Sequence, residues 1–448
     1  MIKQCTFNVV SFIISGGKYQ RFLKELLETQ WWPREKILEL QWEKFKKLLE
    51  HAYKHVPYYR MMFDELAITP NHIQGYGDLY LIPPLTKRDI NHNRQLLMAS
   101  NYKKSELIED HTGGLLGNRC FFFRDKRFTG INYAHQIRNL MWCGWKEGEP
   151  LAYLWGSPIE LRSQQRLVRK LRAWLHNEIW LDAFRLTEEN MRNFVVRLRK
   201  FKPKVLSGYA TALRTFALWI QSKGISLYVP AIVPTAEFLD LNTRRLLATV
   251  FQAEVFNRFG CREVGNSAHE CEAHEGLHIN AEHVLVEVVD QYGRPCNEGE
   301  IGEILYTNLD NFGFPLIRYK VGDMGVLSNK SCKCGRGLPM IEVVKGRVSD
   351  VIRTPKGTMV HGEFFSHLFY GREEIRQFQV CQRSLSAIEI KLVLNPGQSF
   401  SEELKTEITS RICDFVGEKL DISFFVVSEI PRMPSGKYKF IISEIDQG

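Results

Sequence analysis

Apolar residues recur at three- and four-residue steps from Gln20 to Glu28 and from Lys36 to His55, the period of a helix with one buried face. The second run stops at Val56-Pro57, and the double proline of Ile82-Pro83-Pro84-Leu85 marks a further break into extended chain. Between about residues 105 and 260 the pattern changes to short apolar runs, Leu151–Trp155, Val205–Ser207 and Ala231–Pro234, separated by helix-period segments. Buried parallel strands joined by helices have this signature. Val284–Asp290 then alternates with period two, Gly293-Arg294-Pro295 turns, and Glu303–Thr307 resumes extended structure, which predicts a β-rich section. After Lys345-Gly346-Arg347 the pattern resets, with strands expected at Phe378–Gln382, Ala387–Leu394 and Phe424–Val427. A helix is expected over Ser401–Leu420, capped by Ser401. The expectation is an α/β protein: a large domain of layered sheets and helices over 1–346, and a small, mobile α+β domain over 347–448.

Composition narrows the class. Of 448 residues, 44% are hydrophobic and 25% charged, ordinary globular values with enough apolar material for a sizeable core. No apolar run approaches the roughly 18–20 residues of a membrane span. Phe7–Ile14 is too short and lacks a cleavage pattern, so neither an integral membrane segment nor a signal peptide is expected. Collagen, coiled coil and disordered chain are excluded on the same grounds. The formal charge of +9 is mild for this length; it suits anionic ligands such as nucleotides and does not imply a nucleic-acid partner. The basic runs Arg162–Arg172 and Arg192–Lys204 interleave apolar residues at helical spacing and read as solvated helix faces, ahead of an acidic partner or a headgroup surface. Ten scattered cysteines in a chain of this size fit a reducing cytosol rather than a disulfide framework.

Five motifs carry chemistry. His111–Arg119 (HTGGLLGNR) is a glycine-rich turn able to bring backbone N–H groups to phosphate oxygens, although a ligand-free tight turn explains it equally. Asn257–Glu263 (NRFGCRE) sets an aromatic beside a glycine, with a carboxylate three residues on. Ile317–Asp323 (IRYKVGD) ends in a loop carboxylate able to accept two ribose hydroxyls. Lys345–Asp350 (KGRVSD) reads by itself as a linker, and Pro431–Lys437 (PRMPSGK) ends in a loop lysine. Cys332 and Cys334, with Cys271, His274 and His278 upstream, supply the nitrogen and sulfur ligands a zinc tetrahedron needs. A metal-free turn competes with that reading on local sequence alone. Cys261 reads as a small space-filler, and His111, His135 and His269 as structural histidines, with His111 distinguished by adjoining the glycine-rich turn. There is no GxSxG elbow, HExxH helix or GxxxxGK[ST] loop.

Taken in order, HAYKHVPYYR, IPPLTKRDI, FGCREVG, GLHI, PLIRYKVGD, GRVSDVI and PRMPSGK resemble the adenylate-forming superfamily of acyl-CoA synthetases, in its phenylacetate–CoA ligase and CapK-like branch. The resemblance spans nearly the whole chain. It implies a large domain that binds ATP and a carboxylic acid, and a small one that swings between two half-reactions. Carried over by position, Thr112, Gly114 and Gly117 belong to the phosphate loop, Phe259 and Gly260 flank adenine, and Glu237 joins the nucleotide-binding set. Glu263 binds Mg²⁺ and phosphate, Asp323 and Arg347 hold the ribose, and Lys437 bridges carboxylate and α-phosphate. The acid's pocket is expected along Ser207-Gly208-Tyr209 and Thr235–Glu237. The branch carries a structural zinc, for which Cys271, His278, Cys332 and Cys334 are chosen, with His274 the alternative to His278. The implied activity is an ATP-dependent carboxylate ligase in the cytoplasm, passing the acyl group to CoA, a carrier thiol or an amine. An amine-bearing sugar in surface polysaccharide synthesis is among the acceptors. Two positions depart from the family. Gly113, Leu115 and Leu116 stand where phosphate-gripping hydroxyls are expected, and Ser349 stands where the hinge carries Asp. The first departure supports a competing expectation, a degenerate member that binds adenylates without using ATP.

Overall fold

The structure, a computed structural model, describes residues 19–112, 120–155, 173–183, 186–347, 351–355, 359–369, 372–431 and 440–445. Helices Tyr19–Thr29 and Arg34–His55 stand where the period predicts them, and bury Phe22, Leu23 and Leu26 on one, and Ile37, Phe45, Leu48 and Leu49 on the other. Val56 turns the chain to extended backbone, and Pro57 then opens the helix Pro57–Glu65, where its missing N–H costs nothing.

A five-stranded parallel sheet follows, in the order Glu178–Leu181, Leu151–Leu154, Val205–Tyr209, Ala231–Thr235, Glu254–Val255. Leu151–Leu154 and Ala231–Thr235 are buried throughout, as continuous apolar runs require. Two of the helices between the strands start on side-chain caps: Thr187 accepts from Asn190 N–H at 3.2 Å and Asp240 from Thr243 N–H at 2.9 Å. Helix Glu188–Phe201 contains most of the second basic run. It buries Met191, Phe194, Val195 and Leu198, while exposed Arg192 pairs with Glu188 one turn back, the arrangement of a solvated face. The first basic run, Arg162–Arg172, lies outside the described residues. The strand order reverses between Leu151–Leu154 and Val205–Tyr209, where open sheets form a crevice beyond the strand ends. Trp155 and Tyr209, each just past or at such an end, stack there with centroids 4.5 Å apart.

The second sheet has seven strands in the order Val284–Val289, Gly302–Asn308, Tyr319–Ser328, Met340–Arg347, Leu277–Ile279, Gly265–Glu270, Arg258–Cys261. Val284–Val289, a strand of the expected β-rich section, is buried on both faces. Glu287 occupies an inward position because Arg318, itself fully buried, pairs with it at 3.0 Å. Lys345-Gly346-Arg347 completes the strand Met340–Arg347 rather than forming a loop.

The chain divides into two compact units, one of residues 1–321 and 325–344, the other of 322–324 and 345–448. In the second, a sheet runs Asp421–Val426, Ala387–Leu394, Ile375–Gln382, Ile441–Ser443, with an antiparallel central hairpin and parallel outer pairings. Ser401 Oγ accepts from Leu404 N–H and opens the helix Glu402–Val416. The helix stops short of Leu420 because Gly417, at φ 72°, takes the left-handed cap that apolar periodicity does not register. Its buried Leu404, Ile408 and Ile412 share a core with Phe378, Val380 and Ile390. Among the described residues no helix is long and apolar enough to cross a membrane.

Candidate active site and metal centre

The glycine-rich turn is pinched shut at its base. Thr112 N–H donates to Cys120 C=O at 2.9 Å, and Cys120 N–H donates to Thr112 Oγ1 at 2.9 Å. The Thr112 oxygen thus accepts from the backbone, and its proton is left to donate outward. Gly114 and Gly117, between these anchors, lie outside the described residues. The strand leading in, Ile108–His111, is fixed by Asp110, whose carboxylate pairs with Arg124 at 2.7 Å and with Arg262 at 3.0 Å. Arg262 belongs to the FGCRE motif, so this ion pair ties the two motifs together across about 150 residues of chain. His111 stacks on Phe121 with ring centroids 5.5 Å apart.

Within FGCRE, Phe259 and Gly260 lie on the strand Arg258–Cys261, which pairs with Gly265–Glu270 through an irregular register at Phe259/Gly260. Only glycine fits there, since a Cβ on Gly260 would stand 2.4 Å from Gly265 C=O. Phe259 lies 6.2 Å from the Tyr306 ring. Glu263 sits in the turn between these strands and yet is 2% exposed. Tyr319 Oη donates to its Oε1 at 2.7 Å. Cys120 also interacts with both: its thiol shares the Tyr319 hydroxyl, and burial followed by the Glu263 charge pushes it up to about 12. Three motifs thereby meet at one point, through residues (Cys120, Tyr319, Asp110, Arg262) that motif reading does not single out. The signal was present only as their adjacency to Arg119, Arg318, His111 and Glu263.

The remaining sequence candidates have partners or positions of their own. Glu237 accepts from Thr211 N–H at 2.8 Å and from Thr211 Oγ1 at 2.7 Å, which caps the helix Ala210–Ser222. It follows Ala236, a non-glycine residue at φ 65°, just past the end of the parallel strand Ala231–Thr235. Asp323 is buried on the strand Tyr319–Ser328, directly after Gly322 at φ 89°. Lys437 and the side chain of Arg347 lie outside the described residues, as does Ser349. His135 and His269 are buried, and burial lowers both, His269 to about 4. Cys261 packs at the edge of the main core.

The Cys/His centre is described in full. Cys271, His278, Cys332 and Cys334 each offer one ligand atom, all within 4.8 Å of one another. Cys271 Sγ lies 3.6 Å from Cys332 Sγ, and Cys334 Sγ 3.3 Å from His278 Nε2. Zinc bonds of about 2.3 Å to sulfur and 2.0 Å to nitrogen separate tetrahedral ligand atoms by about 3.5–3.8 Å, so the donor set fits the ion. His278 Nδ1 lies 3.3 Å from Leu338 C=O; as the donor there it leaves Nε2 facing the thiols. Ala273 and Arg336 N–H groups donate to Cys271 Sγ and Cys334 Sγ at 3.4 Å. Burial alone would raise the Cys334 thiol, but His278 and Arg336 outweigh it and hold it at about 6, whereas burial raises Cys271 and Cys332. His274 turns the other way, with Nδ1 3.4 Å from Glu270 and its ring against Phe256. The loop bearing the two close thiols also grips the turn between the first two helices. Gly337 N–H donates to Gln30 C=O at 3.1 Å, and the Arg336 guanidinium lies 4.8 Å from the rings of Trp31 and Trp142.

Comparison with known proteins places these observations. Residues 352–444 match the model of the CapK C-terminal domain. The chain is 25% identical over 420 residues to protein CapK of Staphylococcus aureus, covering 88% of each. It is 24% identical over 441 residues to a phenylacetate-coenzyme A ligase of Thermus thermophilus, covering 92% of this chain and 97% of that one. Among solved structures, 2-hydroxyisobutyryl-CoA ligase in its postadenylation state superposes with a TM-score of 0.73 at 16% identity, over 92% of this chain and 90% of that one.

Proposed function

We propose that this chain, homologous to CapK and to phenylacetate-coenzyme A ligases and folded as adenylate-forming ligases are, activates a carboxylic acid with ATP and passes the acyl group on. In the first half-reaction a carboxylate oxygen attacks the α-phosphorus of ATP and diphosphate leaves. In the second, a thiol or amine attacks the acyl carbon, AMP leaves, and the nucleophile's proton passes to solvent. The observation that carries this reading is the convergence of the Thr112–Cys120 pinch, Glu263 and Tyr319 at one buried point. Nucleotidyl transfer needs a rigid phosphate cradle beside an anionic metal ligand, and these residues come from three segments some 150 and 55 positions apart.

In this reading Glu263 takes Mg²⁺, which supplies charge neutralisation on the phosphates when bound. Phe259 and Gly260 border adenine, Asp323 and Arg347 the ribose, and Lys437 the attacked phosphate. Glu237 contributes by capping the helix Ala210–Ser222 at the nucleotide's edge. Cys271, His278, Cys332 and Cys334 hold a structural zinc. The acceptor assigned first is the thiol of CoA, after the names of the ligase relatives; an amine-bearing sugar ranks second, after CapK. Among the described residues no cysteine forms a disulfide, which agrees with a cytoplasmic enzyme. The test is diphosphate exchange into ATP against a panel of aryl, aliphatic and amino acids. Exchange stimulated by one class of acid supports the ligase and names its substrate. Tight adenylate binding without exchange supports instead a binding-only member, the reading that Leu115-Leu116 in the phosphate loop favours.

A further inference from the structure

Buried carboxylates in this protein are answered generously. Glu282 faces Arg138 at 2.6 Å, Glu287 faces Arg318 at 3.0 Å, and Asp310 faces both Lys44 and Arg127. Asp125 has no basic partner among the described residues, but accepts from the N–H groups of Phe128, Phe312 and Gly313. Glu263 is the exception. It is as buried as these, and among the described residues no basic side chain pairs with it; its hydrogen-bond donor is the neutral hydroxyl of Tyr319. One neutral donor leaves most of a carboxylate's lone pairs unanswered, a costly state for a buried anion unless a cation joins it.

Tyr319 is itself held with unusual firmness. Its backbone is clamped to Leu85, which donates to Arg318 C=O at 3.0 Å and accepts from Lys320 N–H at 2.8 Å. Arg318, one residue before, takes a left-handed φ of 53° and is fully buried. It holds that conformation through Glu287, Ile82 C=O and Gly293 C=O. A buried arginine in a strained conformation, secured on three sides, persists only where the surroundings over-determine it. Here the effect is to fix where the next side chain points.

The geometry points to Tyr319 as a positioning residue: its hydroxyl occupies one oxygen of Glu263, so that the other faces the cation as a one-oxygen ligand. Through the shared Cys120 thiol it sets that oxygen relative to the foot of the phosphate loop. This inference rests on the adenylation reading. It adds a division of labour, in which Glu263 contacts the ion, Tyr319 aims Glu263, and Arg318 aims Tyr319.

The test is Mg²⁺-dependent ATP binding by the full chain, measured by titration calorimetry at rising Mg²⁺, alongside metal-free AMP binding. Tyr319→Phe keeps the ring and removes the hydroxyl. It should raise the Mg²⁺ concentration for half-maximal ATP binding about tenfold or more, the scale of one hydrogen bond to a charged group. AMP binding should be unmoved. In a Glu263→Gln background the same change should add nothing further to the Mg²⁺ requirement, because the two act as one unit. Cys120→Ala, which leaves the hydroxyl in place, should shift the requirement in the same direction by a smaller factor. An unchanged Mg²⁺ requirement in Tyr319→Phe overturns the inference and leaves Tyr319 a core residue, as does equal loss of AMP and Mg·ATP binding in both variants. Wild-type protein that binds adenylates with no Mg²⁺ dependence at all contradicts the adenylation reading itself, a separate and distinguishable result.

Discussion

The Cys/His centre and the Glu263–Tyr319 side of the phosphate-loop centre share the seven-stranded sheet, but the two centres are built to different degrees of completion. At the first, four ligand atoms already stand within 4.8 Å of one another, with N–H donors behind two of the sulfurs and a carbonyl behind the histidine. At the second, a pinch, an under-answered carboxylate and a rigid tyrosine surround a place for charge that the protein leaves unneutralised. On the proposed reading, the difference separates a structural site from a reactive one. A structural ion must be enclosed by the chain, so its ligands are held by short loops of the fold. A reacting nucleotide must come and go, so its contacts are distributed over segments that only the bound ligand completes.

Breaking the finished centre should have the largest effect. Cys334→Ser should take metal content from about one zinc per chain to near zero and cost about 4 kcal/mol or more in stability, because binding energy at such a site is folding energy. Metal analysis and thermal unfolding check this, and stoichiometric metal in the variant contradicts it. The support of the reactive centre should come next. Glu287→Ala leaves the buried Arg318 unpaired and should cost about 3 kcal/mol, read by urea unfolding. If Arg318 is what aims Tyr319, the Mg²⁺ requirement should rise in the folded fraction as well. Gly337→Ala comes third. A Cβ there would lie 2.0 Å from Trp32 C=O, so the grip on the first two helices should loosen at a cost of about 2 kcal/mol. Trypsin should then cut faster at Arg34, while zinc content and nucleotide binding stay as they were. The smallest effect belongs to the phosphate loop: Leu115→Ser with Leu116→Thr should lower the ATP concentration for half-maximal binding by about fivefold, a fraction of what two new phosphate hydrogen bonds could contribute.

How far these two centres are legible in the sequence follows from their construction. Elements with strong periodicity stand where expected, among them the first two helices, the parallel strands and Ala387–Leu394. Val284–Val289 is a strand as its pattern predicts; that it is buried on both faces, with Glu287 turned inward against a buried Arg318, is not legible in that pattern. The four metal-site side chains are visible because cysteine and histidine are scarce and paired locally. The sequence keeps His274 as the alternative to His278, and the structure sets it aside, with backbone φ 53° and its ring towards Glu270. Tyr319 and Cys120 are illegible for the opposite reason. Their roles arise from partners 56 and 199 positions away, and lying within or beside a motif does not by itself reveal them.

The central claim is that the chain forms an acyl-adenylate, with its chemistry supplied by Lys437 of the C-terminal segment. The most direct measurement compares diphosphate exchange in wild-type protein and Lys437→Ala, with the acid that stimulates exchange best, alongside acyl transfer from a supplied adenylate. The account predicts that the variant binds ATP nearly as well as wild type but loses exchange by about 10²-fold or more, the scale of one preorganised charge at a transition state. Transfer from the supplied adenylate should survive. Wild-type protein without exchange for any acid, or a variant that exchanges at the wild-type rate, would contradict it.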